Sequence, residues 1–166
     1  MTDRIAKLFM NMIHYDKPDT MRIQHLIKVH DLSALIGREE GMNEDELFVL
    51  ESAAILHDIG IHRSEEKYGS SSGKYQEIEG PQEAEKVLLE TGGYTNAQKD
   101  RIKFLIAHHH TYTGVEEASD YRILLEADAL VNIFEDKLTP EAARHMKEIV
   151  FRTKTGLKLL NDMYDI

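Results

Sequence analysis

Nine histidines in 166 residues, with no cysteine at all, set the chemical question. Several of them, and two aspartates, fall where helical periodicity calls for a core side chain. His25 precedes Val29, Leu32 and Ile36 by four, seven and eleven residues. His57 follows Leu50 by seven residues, and Asp58 follows Ala54 by four. His109 follows Ile102, Leu105 and Ile106 by seven, four and three, and Asp128 follows Tyr121, Leu124 and Leu125 by the same steps. A buried carboxylate must be paired or ligated, because stripping its water is costly. No basic residue on these stripes offers an obvious partner. Imidazoles and carboxylates converging from separate helices are the donor set of a divalent cation, whose charge in turn favours ionised aspartates. Each residue alone has a plainer reading: a hydrogen-bonded core histidine, a capping aspartate, an aspartate paired with Arg or Lys. Recurrence on four helices points instead to a metal site.

The elements that must carry these residues read as helices between short punctuators. Ile5, Leu8, Phe9, Met12 and Ile13 share one face of a first helix capped by Thr2 or Asp3. After Pro18, Asp19 or Thr20 caps a second helix running toward Gly37 and Gly41. Asn43 and Glu46 form a capping-box pattern for a third, with Leu47, Leu50 and Ala54 on its apolar face and its end near Gly60. Residues 61–80, with Gly69, Ser70, Ser71, Ser72 and Gly73, read as a long loop, either a mobile lid or a plain solvated connection. Pro81 suits the first position of a short helix ended by Gly92-Gly93. Thr95 with Gln98 caps the next, which runs to about His110. Ser119 or Asp120 opens another, to about Asp136. Thr139-Pro140-Glu141 starts a C-terminal segment over 140–166, broken near Gly156. No sustained period-two alternation signals a strand. The expected fold is all-α, a compact helical bundle, with residues 1–166 as a single domain.

Composition narrows the function. Thirty acidic against twenty basic residues give a formal charge of −10, which disfavours nucleic-acid polymers and anionic membranes but not one small anionic substrate. Without cysteine there is no disulfide framework, thiolate zinc site or cysteine nucleophile. No apolar run approaches the roughly 18 residues of a membrane span, and Met1-Thr2-Asp3-Arg4 lacks a signal-peptide pattern, so a cytoplasmic location is expected. There is no HExxH, Walker-type loop, dinucleotide fingerprint or Gly-x-Ser-x-Gly turn.

The order His25, His57-Asp58, Asp128 resembles the signature of the HD-domain superfamily of metal-dependent phosphohydrolases. Arg22-Ile23-Gln24-His25, Ala53 to Gly60, and Glu126-Ala127-Asp128-Ala129-Leu130 are similar to that family's three ligand segments, and the likeness spans about residues 20–135. The resemblance implies a helical bundle in which His25, His57, Asp58 and Asp128 hold a first metal, with Asp58 able to bridge to a second. Glu79 stands where two-metal members begin a segment with histidine, and His109 and His110 match a further histidine, so Glu79, His109 and His110 form the expected second site. Glu79 has a helix-capping reading as well, and His108 is expected to face outward. His110 to Gly114 resembles the branch that splits symmetrical dinucleoside tetraphosphates. Many members carry lysine where this chain has Ile61; His62 reads as a loop residue, and His14, His30 and His145 as ordinary histidines.

The implied chemistry is hydrolysis of a small phosphate ester or anhydride, a nucleotide above all, by water activated on one or two divalent ions (Fe, Mn, Zn, Co, Ni or Mg). Asp58 and His109 are the expected catalytic residues. Arg22, one turn before His25, is the expected phosphate contact, while Lys28, Arg63, Lys67 and Lys74 read as solvated charge. Two other readings remain open: an HD-fold di-iron oxygenase, and a non-catalytic, metal-stabilised nucleotide-binding module. The amphipathic stretch with Leu157, Leu160 and Met163 suits a homo-oligomer as well as the chain's own core.

Overall fold

The computed structural model describes residues 1–113 and 118–166. Among these residues the regular structure is entirely helical: α1 (Asp3–Asp16), α2 (Thr20–Glu39), α3 (Glu44–Leu56), α4 (Ile61–Tyr68), α5 (Gly73–Thr91), α6 (Asn96–His108), α7 (Ser119–Glu135), α8 (Pro140–Val150) and α9 (Lys154–Tyr164). The starts follow from side chains that accept orphan backbone N–H groups. Thr2, Asp19, Thr95, Thr139 and Thr153 each accept one, and Asn43 accepts two. Asn43 with Glu46, and Thr95 with Gln98, form complete reciprocal boxes.

At the centre lies α3. Beyond its exposed first turn, from Leu47 to Leu56, only Phe48 is not buried, so this part of the helix has no solvent face. It packs on α1, α2, α6 and α7. The second axis is α7, buried from Tyr121 to Val131 and covered by α2, α3, α8 and α9. One continuous apolar cluster, from Ile5 to Leu160, joins these helices. The metal-type residues lie at the C-terminal end of α3, in the first half of α2 and near the middle of α7, where the three elements meet.

Four expectations are corrected. Residues 61–80 are not a long loop: α4 occupies 61–68 and α5 begins at Gly73, so His62 is helical. Only Ile61 and Ser64 of α4 are buried, and this nearly polar helix carries almost no apolar stripe to read. Pro81 lies inside α5 rather than at its start. An interior proline removes one rung and costs about 3 kcal/mol, and burial of Gly80, Ala84, Val87 and Leu88 against α1, α4 and α6 offsets it. The sixth helix ends at His108, so His109 and His110 lie in the following turn. The C-terminal segment breaks at Phe151–Thr153, and Gly156 sits inside α9. In addition, Ala118, not Ser119 or Asp120, occupies the cap position of α7.

Two glycines draw α5 against the turn that follows the His57-Asp58 pair. A Cβ on Gly60 would lie 2.6 Å from the backbone nitrogen of Gly80, so the two chains meet with no side chain between them.

Candidate metal centre

Helix α2 points His25 inward one turn before Val29, and the end of α3 delivers His57 and Asp58 on consecutive positions. Mid-helix Asp128 of α7 completes the cluster. His25 Nε2 and His57 Nε2 are 3.1 Å apart. Asp128 Oδ1 lies 3.2 Å from the first and 3.6 Å from the second, and Asp58 Oδ2 lies 3.6 and 3.8 Å from them. His25, His57 and Asp128 are all buried, and the Asp58 side chain retains 15% exposure on the cleft side.

The outer ring nitrogens are all engaged. Nδ1 of His57 donates to the Ala54 carbonyl at 2.9 Å, and Nδ1 of His25 donates to Glu135 Oε2 at 2.8 Å. These partners fix the tautomer, so both Nε2 lone pairs face the centre. Neighbouring donors on a cation with bonds near 2.1 Å sit roughly 3.0–3.4 Å apart, close to the separations here. The residues present therefore fit a divalent cation. Without one, a proton takes its place. Burial pulls His25 down, but Asp128, Asp58 and Glu135 outweigh it and raise it to about 9. His57 is likewise raised against burial by Asp58 and Asp128. Asp58 and Asp128 are held below the usual carboxylate range, their burial more than offset by the facing imidazoles.

Asp58 also faces a second set. Its Oδ1 lies 3.2 Å from His109 Nε2, whose Nδ1 donates to the Ile106 carbonyl at 2.7 Å. Ligand atoms of Asp58, His109 and His110 all lie within 4.8 Å of one another. His110 Nε2 meets Gln76 Oε1 at 3.1 Å, and burial with neighbouring His109 lowers its pKa to about 4. Glu79 is not brought to this set. Its Oε1 accepts from Lys67 Nζ at 2.7 Å and from the Tyr68 hydroxyl at 2.6 Å, and these bonds hold it below its usual range. His108 turns its Nδ1 to the Phe104 carbonyl of its own helix.

A cleft of about 370 Å³ opens over the first set, with Arg22, His25, Asp58, Asn132 and Glu135 on its walls. Arg22 Nη1 is buried without a hydrogen bond, 3.4 Å from Asp19 Oδ2. Of the other cations, Lys28 pairs with Glu135, Arg63 with Glu66, and Lys67 with Glu79. Two residues of the centre escaped the sequence reading. Asn132 donates to Asp128 Oδ1 at 2.9 Å, and Glu135 orients His25. Both follow Asp128, by four and seven residues, so the helical stripe that carries Asp128 also carries them. The segment resembling the dinucleoside tetraphosphate branch ends at Gly114, which lies outside the described residues.

A helical fold whose buried centre gathers histidines and aspartates from three helices defines a class of metal-binding domain. The HD domain family model matches residues 22–142, and the chain belongs to that family. The match places it in the superfamily of metal-dependent phosphohydrolases, whose domains bind divalent metals. No curated protein and no solved structure matches it. Among the described residues, no helix is long and apolar enough to cross a membrane.

Proposed function

We propose that this chain hydrolyses a small phosphate ester or anhydride, with nucleotides as the substrate class. His25, His57, Asp58 and Asp128 would hold the first divalent ion. Asp58 with His109 and His110 would hold a second, and Glu79 takes no part. The observation that carries this reading is the division of the Asp58 carboxylate, with Oδ2 toward His25 and His57 and Oδ1 toward His109.

A divalent ion held by these residues would supply Lewis acidity, drawing charge from phosphoryl oxygens and lowering the pKa of water toward neutrality. Arg22 lies on the cleft wall, where its guanidinium would bind a non-reacting phosphoryl oxygen. Asn132 holds Asp128 in register through its amide. Where the second position holds no ion, His109, fixed by the Ile106 carbonyl and carrying a proton on Nε2 beside Asp58, would instead pass that proton to the leaving oxygen as the phosphorus–oxygen bond breaks.

The test is metal analysis of the purified protein, followed by phosphate release from a nucleotide panel after stripping and reloading with Mn²⁺, Co²⁺, Fe²⁺ or Mg²⁺. Turnover that needs metal and is lost in Asp58→Ala is expected. A loaded protein that cleaves nothing in the panel, or an Asp58→Ala variant at full rate, overturns the reading.

A further inference from the structure

We propose that the apolar groove beside the metal cleft is a nucleoside site, which receives the leaving group of the substrate. A cavity of about 610 Å³ lies between the start of α2 and the end of α7, a size that suits a small organic ligand. It shares Met21 and Glu135 with the metal cleft, so the two spaces are neighbours across one wall. Glu135 is that wall: its carboxylate orients His25 on one side and binds Lys28 on the other.

The lining fits a flat heterocycle with polar edges. Met21 is 83% exposed and Phe134 70% exposed, and Leu138 and Tyr164 line the same space. An exposed ring and thioether accept a π-face readily. Gln24, Lys28 and Lys137 line the same groove and offer hydrogen-bond donors to a base or sugar. Met21 lies four residues before His25, and Phe134 adjoins Glu135. A nucleoside seated here leaves its 5′ oxygen toward the metal cleft. Met21 and Phe134 then determine specificity without touching the metal.

The leaving-group role rests on the phosphohydrolase reading; nucleoside binding does not. Adenosine is titrated into the full-length protein while the Met21 methyl resonance is followed, in wild type, Phe134→Ala and Asp58→Ala. The expected result is a saturable shift of Met21, weakened about fivefold or more by Phe134→Ala, as loss of a base–aromatic stack requires, and unchanged by Asp58→Ala. In the manganese-loaded protein, AMP should be cleaved more efficiently than ribose 5-phosphate, and Phe134→Ala should remove that preference through KM with kcat retained. An unmoved Met21 methyl, equal adenosine affinity in Phe134→Ala, or a Met21 signal that instead follows protein concentration because a second copy covers the groove, overturns the proposal. Adenosine binding with neither ester cleaved removes the hydrolase and keeps the nucleoside site. Equal cleavage of both esters without adenosine binding removes the groove assignment and keeps the hydrolase.

Discussion

His25 and His57 turn their Nε2 atoms toward each other across 3.1 Å, while each commits its Nδ1 proton to an oxygen elsewhere. Two lone pairs at that distance repel unless something positive lies between them. In the metal-free protein protonation relieves that repulsion, and Asp128, Asp58 and Glu135 raise His25 to about 9 in spite of burial.

Metal uptake must therefore displace a proton. A histidine with a raised folded-state pKa contributes stability below its unfolded value near 6.5, and loses it as pH rises through about 9. Chelator-treated protein should lose melting temperature between pH 6.5 and 9, while apparent Mn²⁺ affinity rises across the same window with proton release. Calorimetry in buffers of different ionisation enthalpy measures both. An affinity flat across this range contradicts the proton-for-metal exchange.

Glu135 would act on a metal held by His25 through its bond to Nδ1 of that ring. Glu135→Gln keeps the shape but weakens the Nδ1 hydrogen bond, and partners of this kind are worth about 10- to 100-fold in metal affinity. We expect a loss near the lower end, read by competition with a fluorescent chelator, with the helical circular dichroism unchanged. Wild-type affinity in this variant would mean that the Ala54-anchored His57 orients the centre alone.

Asp16 is fully buried, and neither carboxylate oxygen has a hydrogen-bond partner. Burial raises it to about 7, with Arg22 opposing and Asp19 and Asp58 reinforcing. The folded state then holds more protons than the unfolded one between about pH 4 and 7, so stability falls as pH rises through that window. Asp16→Asn removes the cost of charging, on the order of 4 kcal/mol. It should melt well above wild type at pH 8 and close to it at pH 4.5. Identical thermal curves at pH 8 would rule this out.

Gly156→Ala should destabilise, although alanine is the better helix former. Its Cβ would fall 2.0 Å from Glu126 Oε2. That buried carboxylate accepts from Arg152 N at 2.6 Å, Thr153 N at 2.7 Å and Thr153 Oγ1 at 2.5 Å, and so anchors the start of α9. Displacing it strands buried polar groups, at about 2 kcal/mol. Urea unfolding measures the loss, and a stabilised variant would show that Glu126 moves freely.

Much of this architecture was legible in the sequence. The caps at Thr2, Asn43 and Thr95 are local chemistry and stand where they were read. The inward faces of His25, His57, Asp128 and His109 follow from apolar periodicity, and all four side chains are buried. What escaped depends on contacts distant in sequence. Helix α4 is held by neighbours rather than by a stripe of its own. Pro81 mimics a helix start because nothing local reveals the packing that carries α5 through it. Glu79 sits at the position that resemblance marks for a ligand, yet Lys67 and Tyr68, twelve and eleven residues earlier, take its carboxylate.

The enclosure of α3 from Leu47 onward bears on more than packing. A helix enclosed on every flank over its last ten residues cannot roll or slide without tearing the layers around it, so the His57-Asp58 pair at its tip is preorganised by folding itself. Cation capture at such a place is a docking event: the polypeptide has little conformational entropy left to lose, and the water shed by the ion gains entropy.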